Sequence, residues 1–202
     1  MTRSFFVLFA AVLLLIACNN NKPKENSSTS NNNPTTTGNS NPNPTASNNS
    51  GADMEKLMEE MKNLPALTND QLKALLPETL LGMKRSSFAT NSMMGYGIAT
   101  GKYKSDDGKE LGVIIYDCVG PAGVAWYNMM YWGMSMEQQD ENGYKKTTTF
   151  NGTKAIESYD KGEEKYSLIY PSSNRLLVTV EGRNTGLDMV KQAAGSLNLK
   201  VN

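Results

Sequence analysis

The chain has 202 residues, 39% hydrophobic and 20% charged, with 20 basic side chains against 20 acidic ones and no histidine. So even a balance offers no bulk attraction for a polyanion, and no nucleic-acid partner is expected. Without histidine a Ser-His-Asp triad, a Cys-His pair, the HExxH zinc helix and the deaminase zinc site are all excluded.

Arg3 precedes an unbroken apolar run from Phe5 to Ala17 that ends at Leu15-Ile16-Ala17-Cys18. Its 13 residues fall short of the roughly 20 that cross a bilayer as a helix, so the pattern reads as a secretion signal rather than a span. The ending resembles a bacterial lipobox, in which a small residue precedes a cysteine that is diacylated on sulfur, cleaved before, and then acylated on its new amino group. That resemblance implies a lipoprotein signal peptide over residues 1–17, lipidation of Cys18, and a membrane partner engaged through the lipid. One acyl chain binds membranes marginally, whereas several, at about 0.8 kcal/mol per buried CH₂, anchor a protein stably. Asn19 stands where an aspartate would alter sorting in enteric-type bacteria, so the expected location is the bacterial cell envelope, lipid-anchored, at the outer membrane.

From Asn19 to Ala52 the chain is almost wholly Asn, Ser, Thr, Pro and Gly, with no Val, Leu, Ile, Met or aromatic residue. Such a composition cannot bury enough surface to repay ordering entropy, so residues 18–52 are expected to form a disordered tether behind the lipidated cysteine. Its root-mean-square reach is on the order of 30 Å. Interspersed prolines and the lack of aromatics argue against a prion-like tract.

Residues 53–202 are long enough for one domain with its own core. Met54, Leu57, Met58 and Met61 recur at helical spacing and predict an amphipathic helix. Thr68-Asn-Asp-Gln71 has the form of a capping box, flanked by Leu67 and Leu72 as a hydrophobic staple and stopped by Pro77. Tyr96 to Tyr103 and Lys109 to Cys118 predict a hairpin around Asp107-Gly108. Gly120-Pro121 opens a helix running towards Met136, with Val124, Tyr127, Met130, Tyr131 and Met134 on one stripe. Four extended stretches follow, Tyr144 to Phe150, Thr153 to Asp160, Lys165 to Tyr170 and Arg175 to Glu181, and Thr185 is placed to cap a last helix from Leu187. The expected fold is therefore α+β, with an about six-stranded, mainly antiparallel sheet covered by helices in the order α-α-β-β-α-β-β-β-β-α.

That order is similar to the PsbP-like sandwich, a fold without one shared activity. Leu76-Pro77-Glu78-Thr79-Leu80-Leu81-Gly82-Met83-Lys84-Arg85, Gly143-Tyr144 and Val180-Glu181-Gly182 resemble the landmarks of an uncharacterised group of bacterial envelope proteins. This second resemblance implies a single-domain outline and carries over no catalytic residue.

Several features invite chemistry. Cys118 precedes a helix start, yet Asp117 beside it opposes thiolate formation, and a cysteine at a strand end is usually a small buried apolar residue. Met130 and Met134, one helical turn apart, are soft donors suited to Cu(I), although the same spacing serves a core-facing helix. Trp126, Tyr127, Tyr131 and Trp132 are able to line an apolar pocket between helix and sheet. The acid pairs Asp106-Asp107, Asp140-Glu141 and Glu163-Glu164 fall in turns, and Glu181 with Arg183 reads as a surface pair. No Walker loop, GxSxG elbow, GxGxxG or CxxC occurs. The expectation is a non-enzymatic interaction or accessory module with an envelope protein partner and no cofactor or metal. The alternative is a carrier of a small apolar ligand or Cu(I), with Trp126, Tyr127, Met130, Tyr131 and Met134 as binding residues.

Overall fold

The computed structural model describes residues 51–93, 95–132 and 135–201. The leader, Cys18, nearly all of the tether and Met134 lie outside the described residues. Helices α1 (Gly51–Asn63) and α2 (Asn69–Ala74) lead into strands β1 (Thr79–Leu80), β2 (Met83–Met93), β3 (Tyr96–Lys104) and β4 (Glu110–Asp117). Helix α3 (Gly120–Tyr127) passes into a π-helix (Asn128–Trp132). Strands β5 (Glu137–Asp140), β6 (Gly143–Phe150), β7 (Thr153–Asp160), β8 (Lys165–Ser172) and β9 (Leu176–Arg183) precede α4 (Leu187–Ser196). The strands form one antiparallel sheet in the order β1-β2-β3-β4-β9-β8-β7-β6-β5, so two meanders meet along the β4–β9 ladder.

The six-stranded sheet and its element order are thereby corrected to nine strands with four consecutive strands before α3. The six expected strands are present with bounds shifted by at most two residues. The added ones are β1, β2 and β5, and none carries an alternating apolar pattern. In β2 the one buried side chain among those described is Met83, while Ser86, Ser87, Phe88, Ala89, Asn91 and Ser92 are exposed. All four residues of β5 are exposed. A strand wetted on both faces lacks the period-two signal by which strands are read.

Strand β4 alternates along its length and β9 from Val178 onward, because each of their faces meets a different environment; Leu176 to Val178 are buried in succession where both faces are covered. Leu111, Val113 and Ile115 of β4 and Leu176, Val178 and Val180 of β9 point to the first face, where α2 supplies Leu72, Leu75 and Leu76 and α4 supplies Val190, Ala193 and Ala194. The capping box of α2 forms as its sequence predicts: Thr68 accepts from the Gln71 N–H, and the Gln71 side chain accepts from the Thr68 N–H. Helix α4 corrects its expected cap. Its N-cap is Gly186, and Thr185, one residue early, donates its hydroxyl to the Gly186 carbonyl instead.

Among the described residues, helices cover the second face at one end only. There α1, α3 and the π-helix pack Met54, Met61, Val124, Tyr127 and Tyr131 over Cys118 and Leu177, with Tyr116 and Ile169 at the margin. Helix α1 thus uses its methionine stripe on the domain itself. Towards the opposite strand ends the register aligns Lys102, Gly112, Glu181, Ser167, Ser158 and Lys145 across six strands on this same face, and none of them is buried. The next row runs Lys104, Glu110, Arg183, Lys165 and Asp160, also without a buried member. Glu181 and Arg183 do not pair as expected: each reaches across strands, Glu181 to Lys165 at 3.6 Å and Arg183 to Glu163 at 2.8 Å.

Two ionic clusters hold the elements in place. Asp117, at the end of β4 and fully buried, accepts from the Leu67 N–H at 2.7 Å and from Arg175 Nε at 2.7 Å and Nη2 at 2.8 Å. Arg175 also donates to the Pro65 carbonyl, which ties the link between α1 and α2 to the start of β9. Glu157 of β7 is 3% exposed and lies beneath α4, where it accepts from Tyr144 Oη at 2.8 Å and pairs with Lys191 at 2.9 Å and Lys146 at 3.5 Å.

Candidate functional site: a cleft beside the aromatic helix

The expected helix from Gly120 to Met136 ends early. Regular α3 stops at Tyr127, and a turn of π-helix carries the chain to Trp132. Single π-turns are recurrent features of functional helices. Here the turn is pinned to β7 from both sides of one residue: Tyr131 Oη donates to the Lys154 carbonyl at 2.7 Å, and Lys154 Nζ donates to the Tyr131 carbonyl at 3.1 Å. The ammonium also lies 5.2 Å from the Tyr131 ring centroid. Gly123 sets the approach of α3, since a Cβ there would lie 2.7 Å from the Cys118 carbonyl carbon.

Beside this clamp lies a cleft of about 240 Å³. Met54 and Leu57 of α1 and the rings of Tyr127 and Tyr131 form one side. The β6–β7 turn with Lys154 and the β8–β9 turn, Ser172 to Arg175, form the other. Burial lowers the Lys154 pKa from its ordinary value and pushes the Tyr131 hydroxyl up to about 12. Tyr127 is raised further, by burial first and then by its tyrosine neighbour. These phenols stay protonated at neutral pH, and Tyr131 serves as a donor to the Lys154 carbonyl.

The sequence-predicted residues divide. Tyr127 and Tyr131 line the cleft, with ring centroids 5.3 Å apart. Trp126 turns to the sheet, 5.8 Å from Tyr116, and its buried Nε1–H meets no hydrogen-bond partner. Met130 is half-buried against the second core, Met129 is 60% exposed, and Met134 lies outside the described residues. Met54, Leu57, Lys154 and the Ser172–Arg175 turn escape sequence reasoning because they come from three segments that only the fold unites.

Cys118 is fully buried. Burial pushes its thiol up to about 12, a contact with the Leu177 backbone opposes that rise, and the Asp117 carboxylate adds to it. A thiol so placed is a packing residue rather than a nucleophile. Among the described residues no group of three or more His, Cys, Asp or Glu is placed to hold a metal, and no helix is long and apolar enough to cross a membrane.

No family model and no curated protein matches the chain. Among solved structures, the crystal structure of a GTP binding regulator from Thermotoga maritima is similar over 63% of this chain and 84% of its own, at 17% identity and a TM-score of 0.30. A likeness that shallow carries no functional argument, so function is argued from the site and the sequence alone.

Proposed function

We propose that the chain is a bacterial envelope lipoprotein, anchored at the outer membrane by acyl chains on Cys18, whose tether presents a non-catalytic interaction module to an envelope protein partner. The leader ending at Ala17-Cys18 and the 34-residue stretch rich in Asn, Ser, Thr and Pro after the cysteine support the anchor and the leash. One observation supports the interaction reading above others: among the described residues the second sheet face is helix-covered at one end and presents two polar rows with no buried member at the other. A sheet face without a helix over it is a platform for another chain. The cleft beside the aromatic helix favours a second reading, carriage of a small apolar ligand. At about 240 Å³ it lies below the roughly 300–1,000 Å³ of usual small-molecule sites, and so it ranks second.

The anchor is tested by fractionating cells that carry Cys18→Ala. The variant is expected in the soluble fraction and the parent chain in membranes; a variant that stays with the membranes defeats the anchor. The platform is tested in intact cells with a photoreactive residue at Thr179 on the second face or at Asp188 on α4. A discrete adduct is expected from Thr179 alone, and equal patterns from both positions would sink the reading.

A further inference from the structure

Three glycines on the first face are explained by what packs on them. A Cβ at Gly97 would lie 2.8 Å from Leu72 Cδ1, one at Gly101 would lie 3.2 Å from Leu76 and Tyr103, and one at Gly182 would lie 2.7 Å from Val190. Gly112 is different. It is the third residue of β4, in regular register between Lys102 of β3 and Glu181 of β9, and it is not among the residues with positive φ. A Cβ there would meet nothing closer than the Cβ and Oε2 of Glu181, each at 3.8 Å, which is ordinary contact. Neither backbone conformation nor packing demands glycine, and glycine weakens a strand interior. Its remaining use is to let another molecule approach the backbone closely.

The surroundings say what kind of molecule. Gly112 is the floor of a depression of about 250 Å³ on the uncovered face. Lys102 stands on one side and Glu181 on the other, its carboxylate leaning towards the glycine. Lys104, Glu110 and Arg183 close a third side. Lys104 is paired with Glu110, and Arg183 with Glu163. Glu181 holds a partner only at 3.6 Å, so Lys102 and Glu181 are the two opposite charges best placed to engage a visitor. Strands lie about 4.8 Å apart, which puts the two backbones roughly 10 Å apart with the glycine midway. An extended dipeptide spans about 7 Å, and both side chains reach inward to meet its ends.

We propose that the Gly112 depression binds a short zwitterionic peptide laid across β3, β4 and β9, with its carboxylate at Lys102 and its ammonium at Glu181. The proposal concerns a small peptide ligand on the same sheet face, separate from the envelope protein partner and independent of the lipid anchor, so fractionation of Cys18→Ala and the following titration fail separately.

The test is an amide-shift titration of the isotope-labelled full-length chain in detergent micelles with alanyl-alanine. Saturable shifts at Lys102, Gly112 and Glu181 are expected. N-acetylation of the dipeptide, amidation of its carboxylate, or Lys102→Gln should each weaken binding by at least about tenfold. Gly112→Val should remove binding while leaving the melting temperature unchanged or higher, because a β-branched residue suits the strand. Absence of saturable shifts in the parent chain overturns the proposal, and so does equal binding of the blocked dipeptides. Undiminished binding by Gly112→Val or by Lys102→Gln would do the same.

Discussion

Asp117→Ala is expected to lower folding stability by about 3–5 kcal/mol, because it leaves the Arg175 guanidinium and the Leu67 N–H without their acceptor in a buried place. Asp117 is fully buried and the Arg175 side chain is 11% exposed, so water cannot readily replace the lost partner. The loss spreads along the chain. Arg175 also holds the Pro65 carbonyl, and the Cys118 N–H donates to the Arg175 carbonyl, so the α1–α2 link and the start of β9 loosen together. Much of the cost is the stranded charge, and a double variant Asp117→Ala, Arg175→Met should therefore lose less than the sum of its single changes. Urea unfolding of the four proteins measures this cycle. A loss below about 1 kcal/mol for Asp117→Ala would show that the cluster does not brace the fold.

Glu157→Gln addresses the second cluster and adds a pH signature. Burial alone would raise the Glu157 pKa, but hydrogen bonds from Lys191 and Tyr144 and the charges of Lys191 and Lys146 outweigh it and hold the carboxyl below its ordinary 4.5. A depressed carboxylate contributes stability that is fully present above the unfolded value and is lost as pH falls through the folded one. Near pH 7 the variant should be less stable by about 1.5–3 kcal/mol, the range for hydrogen bonds to charged groups. As pH falls below the unfolded value that gap should shrink, and it should close once pH has passed below the depressed folded value, where the parent carboxyl is protonated and resembles the amide. Thermal unfolding of both proteins across this range reads the effect, and a gap that stays constant with pH would remove the carboxylate from the account.

Legibility in the sequence tracked the environment of each element. Strands β3, β4 and β6 to β9 were readable because Asp107-Gly108, Asn151-Gly152, Lys161-Gly162 and Pro171 to Asn174 punctuate them at turns that the fold keeps. The capping box was readable because it is a contract between two residues three apart. Strands β2 and β5 were hidden because residues such as Ser87, Asn91 and Gln138 meet water whichever way they point. Helix α3 read too long because Met130 and Tyr131 continue its apolar character into a turn of different pitch. The cleft was half legible: Tyr127 and Tyr131 lie on one helical stripe, while Lys154 and the Ser172–Arg175 turn join them through the sheet. Asp117 read as an electrostatic neighbour of Cys118, and only the fold reveals Arg175, 58 positions away, as its partner.

The polar composition that hid β2 and β5 has a use of its own. An open sheet ends in backbone donors and acceptors that any extended chain can pair with, and self-assembly starts there. One margin here is β5, four residues long, with Glu137 and Asp140 at its ends. The other is β2, which β1 covers over two residue pairs only, and which carries Lys84 and Arg85 and a register shift between Arg85 and Ser87. Shortness, charge and a bulge are the means by which sheets refuse an added strand. Copies of this domain brought close together therefore meet at margins that resist growth into fibres.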